Sequence, residues 1–419
     1  MTTSERAPGE GDLADLLQQP RFGRQLRAFR LERGLSQAEV ADAQISTAYL
    51  SRLESGARQP TVKVFEYLLE RLGLTAAAFR PAGRDQLSTL LATVASSDTG
   101  TVDAAELARS LQQARSADPA TRWQALWLLS RAQDQAAQRE DELVTLRELV
   151  ALSEGLDAPE LRVRSLNQLA RCLRATGDLV SAQEAAAASF AAAQQLPVAE
   201  QARPLMTLVS TEAEMGRTPD ALAHAAELEE LVAGARGTLA VEALWAAAAV
   251  RIRAGGSAEA VRLMEQALRQ LDSQDHLLLW LRLRLAAASL YLQTNPSDPA
   301  RAEHWLAEAE PALRLVGQVL QRAEFGMLRA IAAFQRDDLA GAEQACADLE
   351  GIEHHLTFRD LLRVRILRNR ILLRHGRTAE AVDGLRELAT AAQHAAIADL
   401  TAEIWQTIAE ALMSRPSPP

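Results

Sequence analysis

The sequence predicts an all-α protein: a small N-terminal domain of five helices, then an α-solenoid of about seven helix pairs. Three observations carry this expectation. Ala, Leu, Arg, Glu and Gln, all strong helix formers, dominate the 419 residues, and β-branched runs are nearly absent. Apolar residues recur at helical spacing between turns marked by Gly, Asp and Pro. Beyond residue 119 a pattern returns at intervals of 39 residues, the mark of stacked supersecondary units.

Charge is distributed unevenly. The formal net charge is −10, yet residues 21–80 hold ten basic groups (nine Arg and Lys63) against six acidic ones. A basic island on an acidic chain is the footprint of nucleic-acid binding confined to one segment. Cys172 and Cys346 lie far apart, which points to a reducing compartment and not to a disulfide framework. No basic start leads into an apolar run, and no uncharged stretch nears the ~18–20 residues of a membrane span. The expectation is a cytoplasmic protein with no membrane partner.

Residues 1–18 read as a disordered arm and 19–80 as the first domain. Phe22, Leu26 and Phe29 fall on one helical stripe that Gly34 ends. Ser36-Gln37-Ala38-Glu39 is a capping box opening a short second helix through Val40 and Ala41. Asp42-Ala43-Gln44 turns the chain, and Ser46 caps a third helix that runs to Ser55 before Gly56. Pro60-Thr61 opens a fourth, with Val62, Phe65, Leu68, Leu69 and Leu72 on its apolar face. Ile45, Leu50, Leu53 and Ala41 are core positions. Helix, tight turn, helix is the geometry that places a recognition helix in the DNA major groove. Ser46, Thr47, Ala48, Ser51 and Arg52 then face bases or phosphates, and the fork of Arg52 suits guanine O6 and N7. Arg58 is a phosphate contact, and Tyr49 either reaches the DNA backbone or packs between helices. Arg24, Arg27 and Arg33 read equally well as a solvated helix face.

The stretches "LRAFRLERGLSQAEVA" and "STAYLSRLESGARQP", with the apolar helix that follows, resemble the phage-repressor-like (Xre/Cro type) helix-turn-helix family. The resemblance implies that Gln37 grips a phosphate and that Arg30 and Glu54 form a structural ion pair. "VADAQIS" departs from the family pattern, being one residue shorter and lacking its turn glycine. One such domain makes few contacts, whereas specific regulators reach roughly 10⁻⁸–10⁻¹¹ M. A homodimer on a double-stranded operator with two-fold-related half-sites is therefore expected.

The breaks "FRPAGRD" and "ASSDTGT" bracket a helix near 85–95, and a second helix follows from Asp103 to about Arg115; residues 81–118 are linker helices. From 119 to 395 a turn residue is followed five positions later by a small Ala: Gly177 and Ala182, Gly216 and Ala221, Gly255 and Ala260, Asp337 and Ala342, Gly376 and Ala381. Ala302 supplies the remaining anchor after the loop "QTNPSDP". Residues 396–419 are a capping helix and a frayed tail. The pattern resembles the tetratricopeptide repeat (TPR), in which the first helix of each pair lines a concave surface. On that surface, counting back from the turns places Arg164, Asn167, Arg171, Arg174, Arg203, Met206, Trp245, Arg284, Tyr291, Met327, Phe334, Arg363 and Arg370. Arginines with an Asn suit the carboxylate and backbone amides of a peptide, and the aromatics suit its apolar side chains. Each single Arg can equally pair with a Glu on the neighbouring repeat.

No catalytic or metal motif occurs: there is no HExxH, no Gly-rich phosphate loop, no paired-Cys spacing, and His354-His355 cannot share a helix face. No enzymatic activity and no cofactor are expected. A repressor-type reader joined to such an array resembles the peptide-sensing quorum-sensing regulators of Gram-positive bacteria. That resemblance implies a short signalling peptide in the groove that alters DNA binding. Two alternatives stand beside it: a scaffold that binds a protein partner, and a constitutive dimerisation platform without a ligand.

Overall fold

Several helix starts in this chain are set by capping side chains, among them Ser36, Ser46, Thr61, Asp178 and Thr357. The computed structural model describes residues 16–42, 44–79, 83–96, 103–114 and 117–413. Twenty-one α-helices and no strand occur among the described residues. The chain forms two compact units, Met1–Ala125 and Leu126–Pro419.

The first unit contains α1 (Arg21–Glu32), α2 (Gln37–Ala41), α3 (Thr47–Glu54), α4 (Val62–Leu72), a 3₁₀ turn (Ala76–Phe79), α5 (Gly83–Ser96) and α6 (Ala104–Gln113). Ser36 Oγ accepts from the Glu39 amide while the Glu39 carboxylate accepts from the Ser36 amide, which is the expected capping box. Ser46 and Thr61 cap α3 and α4 in the same way. Phe22 stacks on Phe79 with ring centroids 5.0 Å apart, and Phe65 meets both rings edge-on. Leu16 and Leu17 are buried in this core, so packing starts inside the expected arm; residues 1–15 of that arm lie outside the described residues. The turn after α2 is made by Asp42, whose φ of 41° lies in the positive-φ region that favours glycine. Ala43 in that turn lies outside the described residues.

The second unit continues from α7 (Pro119–Gln135), in which the division between the units falls. Its helices are α8 (Arg139–Glu154), α9 (Pro159–Thr176), α10 (Leu179–Ala193), α11 (Val198–Glu214), α12 (Thr218–Leu231), α13 (Thr238–Arg253) and α14 (Ser257–Gln270). Then come α15 (Leu277–Gln293), α16 (Pro299–Val316), α17 (Val319–Gln335), α18 (Leu339–Ala347), α19 (Phe358–Arg374), α20 (Thr378–His394) and α21 (Ala398–Met413). The expected tail from 414 onward lies outside the described residues.

From α8 to α21 each helix packs on the next, and α9, α11, α13, α15, α17, α19 and α21 also pack on one another in turn as an inner layer. The repeat anchors explain the close approach: Ala182, Ala221, Ala260, Ala302, Ala342 and Ala381 are all fully buried. The turn residues Gly177, Gly216, Gly255, Asp337 and Gly376 all have positive φ and end the first helix of a pair.

The inner layer closes on itself. Helix α19 touches α9, and Leu179 packs into the apolar cluster of α19, α20 and α21. A Cβ at Gly177 would stand 2.6 Å from the Phe358 ring, and one at Gly216 2.8 Å from Ala398 Cβ. Only glycine admits these contacts.

Candidate functional site

In the first unit, α1 and α3 cross at Gly23. A Cβ there would lie 2.2 Å from the Leu53 carbonyl oxygen and 2.8 Å from that of Glu54, so glycine sets the crossing distance. Beside the crossing, Arg30 Nε and Nη2 donate to the two oxygens of Glu54 at 2.6 and 2.9 Å, and Nη1 donates to the Leu35 carbonyl at 2.9 Å. Burial alone would raise the Glu54 pKa, but hydrogen bonds from Arg30 and Gln37 hold it below the usual range. Helix α2 is held to α4 from its other side: Arg71 donates to the Glu39 carbonyl, and the Tyr67 hydroxyl lies 2.9 Å from the Val40 and Ala41 carbonyl oxygens.

This scaffold leaves one face of α3 open. Ser46, Thr47, Ala48, Ser51 and Arg52 are exposed, and Arg52 Nε donates only to its own helix, at the Ala48 carbonyl. Tyr49 is half-buried against the core, with the exposed Arg58 guanidinium 5.0 Å over its ring. Gln37 is turned inward instead, its amide donating to Glu54 at 2.8 Å. Gln19, just beyond the expected arm, donates to the Leu53 and Arg58 carbonyls and accepts from the Gly23 amide. Nothing local in the sequence marks the tie to Leu53 and Arg58, because both lie more than thirty residues away.

Residues 21–81 match a helix-turn-helix domain family. The N-terminal unit carries a helix-turn-helix domain. Over nearly the whole chain, the fold is similar to a Rap conjugation gene regulator of the plasmid pLS20, solved in complex with the Phr* peptide. That likeness has 12% identity, covers 94% of this chain and 98% of the other, and has a TM-score of 0.52. Two further solved structures match. A Rap protein complexed with competence and sporulation factor is 10% identical, with 97% and 98% covered and a TM-score of 0.49. PlcR of Bacillus thuringiensis, in complex with the peptide PapR7 and DNA, is 14% identical, with 63% and 98% covered and a TM-score of 0.37. No curated protein sequence matches the chain. At these identities the first likeness shows the fold of a helical repeat protein.

Within the second unit the inner helices α9, α11, α13, α15, α17 and α19 line a cavity of about 370 Å³ that is open on one side. It gathers Asn167, Arg171, Arg174, Arg203, Trp245 and Arg363 of the expected groove residues, together with Met206 and Met327. Arg174 pairs with Glu214 at 2.6 Å, and Arg363 lies 3.4 Å from Ser289 Oγ, spanning α19 to α15. Among the described residues, Arg171 and Arg203 are exposed to the cavity and have no ion pair or side-chain hydrogen bond. Desolvation by the surrounding cavity walls and the neighbouring Arg282 and Arg174 lower the Arg171 pKa. The Asn167 Oδ1, Arg174 Nε and Arg253 Nε atoms are buried without a hydrogen-bond partner.

Five expected groove residues lie elsewhere. Arg284 and Tyr291 occupy the opposite face of α15: Arg284 stacks 3.3 Å from the Trp280 ring centroid and pairs with Glu308, while the Tyr291 hydroxyl bonds Glu265 and Arg301. Arg164 sits on the expected stripe beyond the cavity and pairs with Glu200 on α11. Phe334 packs in the cluster of Ala342, Cys346 and Leu367. Arg370, two turns beyond Arg363, is held by Glu403 and Thr407 of α21.

Sequence reasoning missed the residues of α15 that do face the cavity: Arg282, Ser289 and Gln293. Their spacings of seven and four were the available signal, since they are polar residues on one stripe of an apolar helix. Arg282 lies 5.3 Å over Trp245 and forms no ion pair among the described residues. Arg253, Arg359, Glu242, Glu324 and Asp360 were missed as well. Burial and nearby Arg359 push the Arg253 pKa down to about 10, and burial and nearby Asp360 push Glu324 up to about 7. No helix among the described residues is long and apolar enough to cross a membrane.

Proposed function

We propose that this chain is a sequence-specific DNA-binding transcriptional regulator whose repeat array binds a short peptide that modulates DNA binding. The observation that carries the reading is the cavity. Unpaired guanidiniums of Arg171, Arg203 and Arg282, the Trp245 ring and the unpartnered Asn167 Oδ1 converge there, in a chain that also carries a helix-turn-helix domain. Its volume falls in the roughly 300–1,000 Å³ of ligand pockets. The peptide complex of the pLS20 Rap regulator, which is similar in fold, supports the same direction. In the reader, Thr47, Ala48, Ser51 and Arg52 face the bases, Arg52 reading guanine, while Ser46, Arg58 and Tyr49 meet the phosphate backbone. Gln37 grips a phosphate only if it leaves Glu54. The protein acts as a homodimer in the cytoplasm, each reader on one half-site.

The test is selection of the full chain on random duplex DNA, with and without pooled short peptides. A two-fold-related motif whose occupancy changes with peptide is the expected result. Absence of any enriched motif refutes the reader. A motif indifferent to every peptide, with a folded protein co-purifying, refutes the peptide in favour of a scaffold.

A further inference from the structure

The cavity carries more positive charge than its walls neutralise. Seven arginines and four carboxylates line it. Three of the arginines are committed: Arg174 to Glu214, Arg359 to Asp399, and Arg363 to Asp360 and Ser289. Arg171, Arg203 and Arg282 have no ion pair among the described residues. Arg253 donates only to the Ala249 carbonyl at 3.0 Å, which leaves its Nε unpartnered. Like charges also face one another, Arg171 near Arg282 and Arg174, and Arg253 near Arg359 and Arg174. Such crowding is a standing repulsion inside a sheltered cavity, where charges interact more strongly than in bulk water. An anion relieves it.

We propose that the ligand is an acidic peptide, with one carboxylate against Arg171, Arg203 and Arg282 and a second against Arg253. This rests on the peptide reading above and adds the ligand's charge and its seat. Guanidinium forks bind carboxylates through paired, charge-assisted hydrogen bonds, and these donors are already in place. The second carboxylate has a further effect. Arg253 neighbours Arg359, whose ion pair with Asp399 joins α19 to α21 next to the contact of Phe358 with Gly177. Neutralising Arg253 removes its repulsion of Arg359 and tightens the closure of the inner layer. Ligand charge and closure are thus coupled through one side chain.

The experiment uses the full chain and three synthetic heptapeptide pools, Glu-rich, neutral and Lys-rich, with citrate as a small polyanion control. The Glu-rich pool is expected to raise the melting temperature of the repeat unit. Arg203→Gln, which removes no internal partner, and Arg282→Gln, which also removes the cation over Trp245, should each weaken its binding about tenfold. Amide exchange over residues 358–366 should slow with the Glu-rich pool in the wild type and not in Arg253→Gln. A neutral or Lys-rich pool that binds as well overturns the acidic ligand and leaves the peptide reading standing. No binding by any pool overturns both. Citrate matching the peptide reduces the site to a bare anion site and overturns the proposal. Peptide binding with unchanged exchange in the wild type removes the Arg253 coupling.

Discussion

Glu54→Gln tests the scaffold beneath the reader. The wild-type carboxylate accepts two bonds from Arg30 and one from Gln37, and only 9% of the Arg30 side chain and 3% of the Glu54 side chain are exposed. The amide keeps the shape, removes the charge and turns an NH₂ donor towards guanidinium or amide donors. Removing one partner of a buried pair costs about 3–5 kcal/mol, because the other charge stays buried and uncompensated. For a unit of this size each kcal/mol lowers the melting temperature by roughly 4–8 °C. The N-terminal transition, followed by circular dichroism on the full chain, should therefore fall by at least about 12 °C. The double variant Arg30→Met with Glu54→Leu should recover most of that loss, since it leaves no buried charge. The pH dependence has a fixed sign. The Glu54 pKa is lowered in the folded state, so its contribution is present above the unfolded pKa and is lost as pH falls through the lowered one. Glu54→Gln should lack that acid-side loss. A shift below about 1 kcal/mol for the single variant would refute the buried-pair reasoning.

Three further outcomes follow from geometry and burial. Gly23→Ala should destabilise the reader by about 1–3 kcal/mol or more, measured by urea titration, because its methyl meets backbone oxygens that cannot move aside. Cys172 and Cys346 are buried with their thiol pKa values pushed up, Cys172 by burial and by Glu142, so native protein at pH 8 should resist iodoacetamide that labels both after denaturation. The Glu324 pKa, raised to about 7 by burial and Asp360 against the opposing pull of Arg282, makes its contribution to stability fully present below the unfolded pKa and lost as pH rises through 7. Glu324→Gln should flatten that fall in melting temperature between about pH 5 and pH 7, and an unchanged slope would exclude Glu324 as its source.

The elements legible in the sequence were those with local causes. The Ser36 box, the Ser46 cap and the glycine turns each depend on residues within one helical turn, and all formed where their chemistry required. The Ala anchors were legible because six of them repeat the same packing problem. The cavity was harder because it depends on which face of each helix turns inward. Counting back from a turn carries an error of a residue or two, and two residues rotate a position by roughly 200°. That is the whole difference between Arg284, stacked on Trp280, and Arg282, over Trp245 in the cavity. Gln19, Gln37 and the contact of α19 with α9 were out of reach for another reason. Their partners are distant in sequence, and no periodicity announces them.

That last contact changes how the repeat unit comes apart. In an open stack, each repeat touches only its neighbours, and stability is a sum of local parts that fray from the ends. Here Phe358 lies against Gly177 and Ala398 against Gly216, so early and late repeats share one apolar cluster. The ends are no longer ends. Unfolding one repeat within the closed layer exposes surface on a second that is nearly two hundred residues away, and the segment from α9 to α21 should melt as a single cooperative block. A nascent chain, by the same argument, cannot finish its early repeats until α19 has been synthesised.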